Sequence, residues 1–223
     1  MKGNSGKYWL VMAAGAVAFG QVAQEANSGY KTVEGRSGVA ATLGASDRDK
    51  TQRPRDLVAA IGLQPGMTVA DVGTGIGYML PYLSEAVGPS GKVMAEDIFD
   101  DFLAKAKERA QGLANVSFIQ GAADNPRLPE NSLDRILVLD VYHHFDYPEK
   151  MLAGFHKALR PGGKLVVVEY YKRPTAMANG RAMTHIRLDQ PDVTKEIEAN
   201  HFRQVSQREF NKDSQYMLIL ESR

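Results

Sequence analysis

Between Thr68 and Leu80 the chain reads TVADVGTGIGYML: an apolar run, an acid at Asp71, glycines at 73, 75 and 77, then what reads as the start of a helix. Glycines between a strand and a helix let the backbone approach a ligand closely, and they turn the N–H groups of a helix N-terminus towards it. The spacing here is G-x-G-x-G. The dinucleotide turn is G-x-G-x-x-G, and its third position falls on the bulky Tyr78. A phosphate loop is excluded as well, because no Gly-Lys-Ser/Thr follows. Asp71, two residues before Gly73, would repel a pyrophosphate and suit a cation. These residues ask for a nucleoside with positive charge and no phosphates, a description that S-adenosylmethionine meets through its amino group and sulfonium.

A second set of residues could act on protons. His143 and His144, in LVLDVYHHF, titrate near neutral pH and follow a strand. One of them acts as a base or orients a substrate; the alternative is a capping or packing role in the loop before Pro148. No metal site is expected from His143, His144 and His185. Adjacent histidines seldom both reach one ion, and the chain has no His-x-x-x-His helix pair. Glu169 reads as a substrate contact or as an acid paired with Lys172 or Arg173. Tyr142, Tyr170 and Tyr171 read mainly as packing residues. Arg181, His185 and Arg187 belong to an insertion after VVVEYY that could cover a site; ordinary surface is the expectation.

The elements that must position these residues alternate. A helix is expected over 54–61, with Gly62 ending it, and a strand over 67–72. After the glycine turn come a helix to about 87, a strand from 92, a helix over 100–111 and a strand over 116–120. A strand over 134–140, a helix over 148–159 and a strand over 164–170 follow. The strands are near-continuous apolar runs, as in parallel sheets covered on both faces. Strand–helix alternation with short loops predicts an α/β, doubly wound, Rossmann-like sheet. After a helix over 192–200, FRQVSQREF and QYMLILE are separated only by NKDS and form an antiparallel hairpin at the sheet edge.

With these elements in place, DVGTGIG resembles the first motif of class I S-adenosylmethionine-dependent methyltransferases, and the likeness extends from about Pro54 to Glu221. It implies seven strands in the order 3-2-1-4-5-7-6 with the last antiparallel and helices on both faces. It also implies cofactor contacts at Asp71, Gly73, Thr74, Gly75, Gly77, Tyr78, Asp97, Ile98 and Asp140. Asp97 ends the second strand, where an acid can accept both ribose hydroxyls. A strand alternates its faces, so the neighbouring Glu96 is expected to be a surface acid. Where the family usually has G-D-A, this chain has Gly121, Ala122 and Ala123. The adenine contact is then left to the backbone at Ala123 or to Asp124, itself an equally good turn residue before Pro126. The run from ADNPRLP through DVYHHF to PGGKLVVVEY closely resembles a bacterial subgroup with signal-like N-termini.

The 223 residues suit one main domain, with 43% apolar and 24% charged residues. Lys plus Arg (27) balances Asp plus Glu (26), which argues against nucleic acid as a partner. The absence of cysteine excludes thiolate chemistry. Residues 1–20 read as a signal-like or anchor segment: Lys2 and Lys7 precede the apolar YWLVMAAGAVAF, too short to span a bilayer comfortably. Residues 21–50 read as lead-in or linker, into which Tyr30 falls, and 51–223 as the methyltransferase domain. The expected activity is methyl transfer from S-adenosylmethionine to a small-molecule acceptor. Alternatives are a non-catalytic S-adenosylmethionine- or S-adenosylhomocysteine-binding envelope protein and, less favoured by the glycine spacing, an NAD(P)-dependent oxidoreductase. Donor supply favours a cytoplasmic or cytoplasm-facing location with membrane association through the N-terminus; the signal-like segment points instead to export to the periplasm.

Overall fold

The computed structural model describes residue 23 and residues 26–223. The signal-like segment 1–20 lies outside the described residues. Among those described, no helix is long and apolar enough to cross a membrane.

Seven strands form one sheet: β1 (Thr68–Val72), β2 (Lys92–Asp97), β3 (Val116–Gln120), β4 (Leu133–Leu139), β5 (Leu159–Tyr170), β6 (Phe202–Asn211) and β7 (Gln215–Ser222). Their order is β3-β2-β1-β4-β5-β7-β6, with β7 antiparallel to both neighbours, as expected. Each apolar run serves two cores because successive side chains point to opposite faces. In β4, Ile136 and Val138 join one core while Leu137 and Leu139 join the other.

The helices are α1 (Val33–Leu43), α2 (Arg48–Gln52), α3 (Pro54–Ile61), α4 (Leu80–Val87), α5 (Asp100–Arg109), α6 (Pro148–Ala158), α7 (Ala182–His185) and α8 (Gln190–Glu198). Helix α3 starts on a proline, buries Leu57 and Ile61, and ends at the left-handed Gly62. Helix α5 has Asp100 and Asp101 in its first turn and Lys107 and Arg109 in its last, so its charges oppose the helix dipole. Met151, Leu152 and Phe155 of α6 pack on one face of the sheet; Leu80 and Leu83 of α4 pack on the other.

Two expectations are corrected. The lead-in or linker read over 21–50 is not irregular where it is described: a 3-10 turn (Asn27–Tyr30), α1 and the start of α2 occupy most of 27–50. Thr32 caps α1 by accepting from Gly35 N–H at 3.0 Å, a helix start hidden in a Gly/Ser/Thr-rich stretch. The fifth strand also begins at Leu159, five residues early, because Leu159 pairs with Leu133 across a bulge in β4–β5.

Strands β1, β2, β4 and β5 run parallel, so Val72, Asp97, Leu139 and Tyr170 end at a common edge. The order reverses direction between β1 and β4, the place where such sheets open a ligand crevice.

Candidate active site

A cavity of about 880 Å³ lies at that edge, within the roughly 300–1,000 Å³ of small-molecule sites. Gly73, Thr74 and Gly75 form part of its wall. Gly75 holds φ +55°, a backbone shape that β-branched residues avoid. Its N–H donates to Asp97 Oδ2 at 2.8 Å, and Phe99 N–H donates to Asp97 Oδ1 at 3.0 Å. The acid at the end of β2 is therefore clamped against the glycine turn. Ile98, Ala123 and Asp140 also face the cavity.

Four other expected contacts do not line it. Asp71 is buried beneath the turn, where it accepts from Thr74 Oγ1 at 2.7 Å and braces the loop. Gly77 is needed for packing: a Cβ there would come within 2.8 Å of Leu80 Cδ1 and 3.0 Å of Ala106 Cα. Tyr78 joins the core beside α4 and donates its hydroxyl to Asp49 at 2.8 Å, under the guanidinium of Arg48. Asp124 is exposed and ion-paired with Lys150 at 3.0 Å. Of the two adenine-reading options, the Ala122–Ala123 backbone remains at the cavity.

Glu96 is not a surface acid. It is 1% exposed, lines the cavity and accepts from Gly73 N–H at 3.3 Å. Alternation put Glu96 on the opposite face from Asp97, but helices cover both faces, so neither side chain reaches solvent. Its Oε1 has no hydrogen-bond partner among the described residues. Burial pushes the Glu96 carboxyl up to about 8, with the Asp97 charge adding to it. Burial likewise raises Asp71 and Asp97 to about 6, and Asp140 to about 7 with help from the Glu169 charge. None of these four acids is ion-paired among the described residues.

That electrostatic state is the test of fit for S-adenosylmethionine. Desolvated acids that are hydrogen-bonded but not ion-paired, at a glycine turn, favour a ligand that brings its own positive charge. A pyrophosphate would meet repulsion at the same place. The residues present fit the sulfonium nucleoside.

The other end of the cavity is built around the histidines. His143 is 3% exposed; its Nδ1 lies 2.7 Å from Glu169 Oε2, and its backbone N–H donates to the same oxygen at 3.1 Å. Glu169 therefore orients His143 and pairs with neither Lys172 nor Arg173. His143 Nε2 has no partner among the described residues. His144 Nδ1 lies 2.8 Å from Asn27 Oδ1, while Asn27 Nδ2 donates to the His144 carbonyl at 2.9 Å. Burial holds His144 well below the usual imidazole range and lowers His185 to about 4, the His143 charge adding to both.

The insertion after β5 is not ordinary surface. Arg181 and His185 line the cavity, and Arg187 is buried against Glu196. The His143 and His185 rings lie 4.9 Å apart between centroids. One ring nitrogen from each of His143, His144 and His185 falls within 4.8 Å of the other two. No metal site was expected from these three residues, on the grounds that adjacent histidines seldom share an ion and that no His-x-x-x-His pair exists; the fold nevertheless brings the His185 ring beside the other two.

The lead-in closes the site. Tyr30 packs edge-on to His144 at 4.9 Å and stacks on Phe99 at 6.0 Å, and Arg36 pairs with Asp101 at 2.8 Å. Leu43 covers Gly75. Of these residues, only Tyr30 is singled out from the sequence, as part of the lead-in; Arg36, Leu43 and Phe99 carry no signal.

A family model described as a methyltransferase domain matches residues 70–167. The chain is 32% identical over 114 residues to the ubiquinone/menaquinone biosynthesis C-methyltransferase UbiE of Salmonella arizonae, covering 50% of this chain and 45% of that protein. The match thus spans about half the length of the curated relatives. A SAM-dependent methyltransferase from Aquifex aeolicus superposes with a TM-score of 0.75 at 27% identity, covering 82% of this chain and 96% of that one. The [4+2]-cyclase SpnF shares the fold at a TM-score of 0.60 and 24% identity, covering 70% and 59%. That last likeness is of fold alone; the site has to specify the reaction. The strand order, the glycine turn and the clamped acid of β2 agree with these matches: the chain has the fold and the cofactor turn of class I S-adenosylmethionine-dependent methyltransferases.

Proposed function

We propose that this protein transfers a methyl group from S-adenosylmethionine to a ring carbon of a small hydroxylated aromatic acceptor of the quinol or phenol type. The observation that carries the reading is the placement of His143. Its Nδ1 is held by Glu169, and its Nε2 is unpartnered in the cavity that also holds the glycine turn. Phe145, Met151, Tyr170 and Met177 add an apolar, aromatic and thioether-bearing wall, suited to a flat ring. The C-methyltransferase name of the Salmonella relatives, matched over half their length, supports carbon as the acceptor atom.

Bound S-adenosylmethionine supplies a methyl group on a sulfonium, and the bonding pair leaves with sulfur as a neutral thioether. The chain's own residues do the rest. Asp97, fixed by two backbone N–H groups, would accept the ribose hydroxyls, and Ala122 and Ala123, which line the cavity, would border the adenine. The histidine group takes up the acceptor's hydroxyl proton, which makes the conjugated ring carbon nucleophilic. After the carbon–carbon bond forms, the proton on that ring carbon passes to solvent and the histidine returns its proton to the oxygen, restoring the hydroxyl. Tyr30, Leu43 and Arg36 keep water away while the partners align.

The test is incubation with S-adenosylmethionine carrying an isotopically labelled methyl group and a panel of quinols, phenols, amines and carboxylates, followed by mass spectrometry of the product. Label on a ring carbon of a quinol or phenol is the expected outcome. Transfer confined to amines or carboxylates would overturn it.

A further inference from the structure

We propose that His143, His144 and His185 form a divalent-metal site, of the three-histidine kind that suits zinc, at the acceptor end of the cavity. The inference rests on the methyl-transfer reading only for the site's use; the site itself stands on geometry. One ring nitrogen from each histidine lies within 4.8 Å of the other two. Tetrahedral ligands about 2.0–2.1 Å from zinc stand roughly 3.3 Å apart, so the rings must close in by at most about 1.5 Å. His185, half-buried on the four-residue helix α7, is the ring best placed to move.

The surroundings support coordination more than packing. Metal-binding histidines characteristically turn their second ring nitrogen to a carboxylate or a carbonyl oxygen, which fixes the tautomer. His143 does so with Glu169 at 2.7 Å and His144 with the amide oxygen of Asn27 at 2.8 Å. Both arrangements free Nε2, and the buried Nε2 of His143 has no partner among the described residues. A packing histidine would ordinarily satisfy that atom. Three imidazoles without thiolates suit zinc above calcium or magnesium, and three protein ligands leave a fourth position open to the cavity. With the metal bound, His143 Nε2 ligates it and no longer takes a proton; an acceptor hydroxyl in the fourth position would instead lose its proton to solvent, so the metal would replace the histidine as the means of ionising that oxygen.

Arg181 opposes this arrangement. Its guanidinium lies 3.4 Å from His185 Nδ1, and its exposed side chain must swing outward for a cation to enter.

The experiment is calorimetric titration of chelator-treated full-length protein with Zn²⁺, together with the visible spectrum of the Co²⁺-loaded form. One-to-one binding with a tetrahedral Co²⁺ spectrum is expected. Affinity should fall at least 100-fold in His185→Ala and about 10- to 100-fold in Glu169→Gln, which removes the carboxylate that holds His143 Nδ1. Arg181→Ala should tighten binding several-fold, a readout that survives if His185→Ala fails to fold. His201→Ala, which breaks the surface pair His156–His201 at 5.5 Å, should change nothing. No binding, or binding that follows His201 and ignores Arg181 and Glu169, would overturn the site. A parallel titration with S-adenosylmethionine separates the two readings: its failure would strike the methyl-transfer proposal and leave the metal result readable.

Discussion

The donor end and the acceptor end of the cavity are built in opposite ways. Gly73, Gly75, Glu96, Asp97 and Ala123 follow or end three consecutive strands, β1 to β3, and the backbone N–H groups of Gly73 and Gly75 donate to Glu96 and Asp97. The acceptor end gathers Asn27 from the lead-in, His143 and His144 after β4, Glu169 at the end of β5 and His185 from the insertion. A nucleoside donor that does not vary can be served by one contiguous backbone device. An acceptor that differs between relatives is met by side chains on separate loops, each able to change without disturbing the sheet.

The largest expected effect separates the two ends. His143→Ala should lower kcat by about 10²–10⁴-fold, the worth of a positioned proton acceptor, while S-adenosylmethionine affinity in calorimetry stays unchanged. Loss of both would mean that the ends are not independent. Asp97→Ala should weaken cofactor binding by roughly 1–3 kcal/mol, from a lost charge-assisted hydrogen-bond pair, with kcat at saturating cofactor little altered. Equal binding would move the ribose contact to Glu96.

Glu96→Gln sharpens the comparison through pH. The Glu96 carboxyl sits at about 8 when folded against 4.5 unfolded, so its contribution to stability is fully present below pH 4.5 and is lost as pH rises through 8. Glutamine mimics the protonated form and escapes that loss. In urea unfolding of the cofactor-free protein, the variant should match wild type near pH 4.5 and exceed it by up to a few kcal/mol at pH 8.5. Equal midpoints at both pH values would mean that Glu96 is solvated. The smallest effect belongs to Asp124→Ala: the residue is exposed on Lys150, away from the cavity, and cofactor affinity should not change measurably. A clear loss would restore Asp124 to the adenine site.

Legibility in the sequence follows the same divide. Asp97 and the glycine turn could be read because a βα turn fixes its ligand edge locally. Glu96 was misplaced because alternation assigns faces and cannot say whether a helix covers them. Gly77 and Tyr78 carried the motif's pattern but serve helix packing, a demand that a pattern of glycines does not distinguish from ligand contact. The lead-in helices were missed because Thr32 caps a stretch whose composition otherwise reads as loop.

By itself the sequence determined the doubly wound sheet, its edge hairpin and the cofactor class, since apolar periodicity, short crossovers and the glycine spacing are local properties of the chain; the seven-strand order came with the family resemblance. Only the tertiary structure decided that Glu169 stands behind His143, that Asn27 holds His144 and that His185 joins them. These contacts link residues up to 117 positions apart, and their geometry exists only once the sheet has brought its loops to one edge.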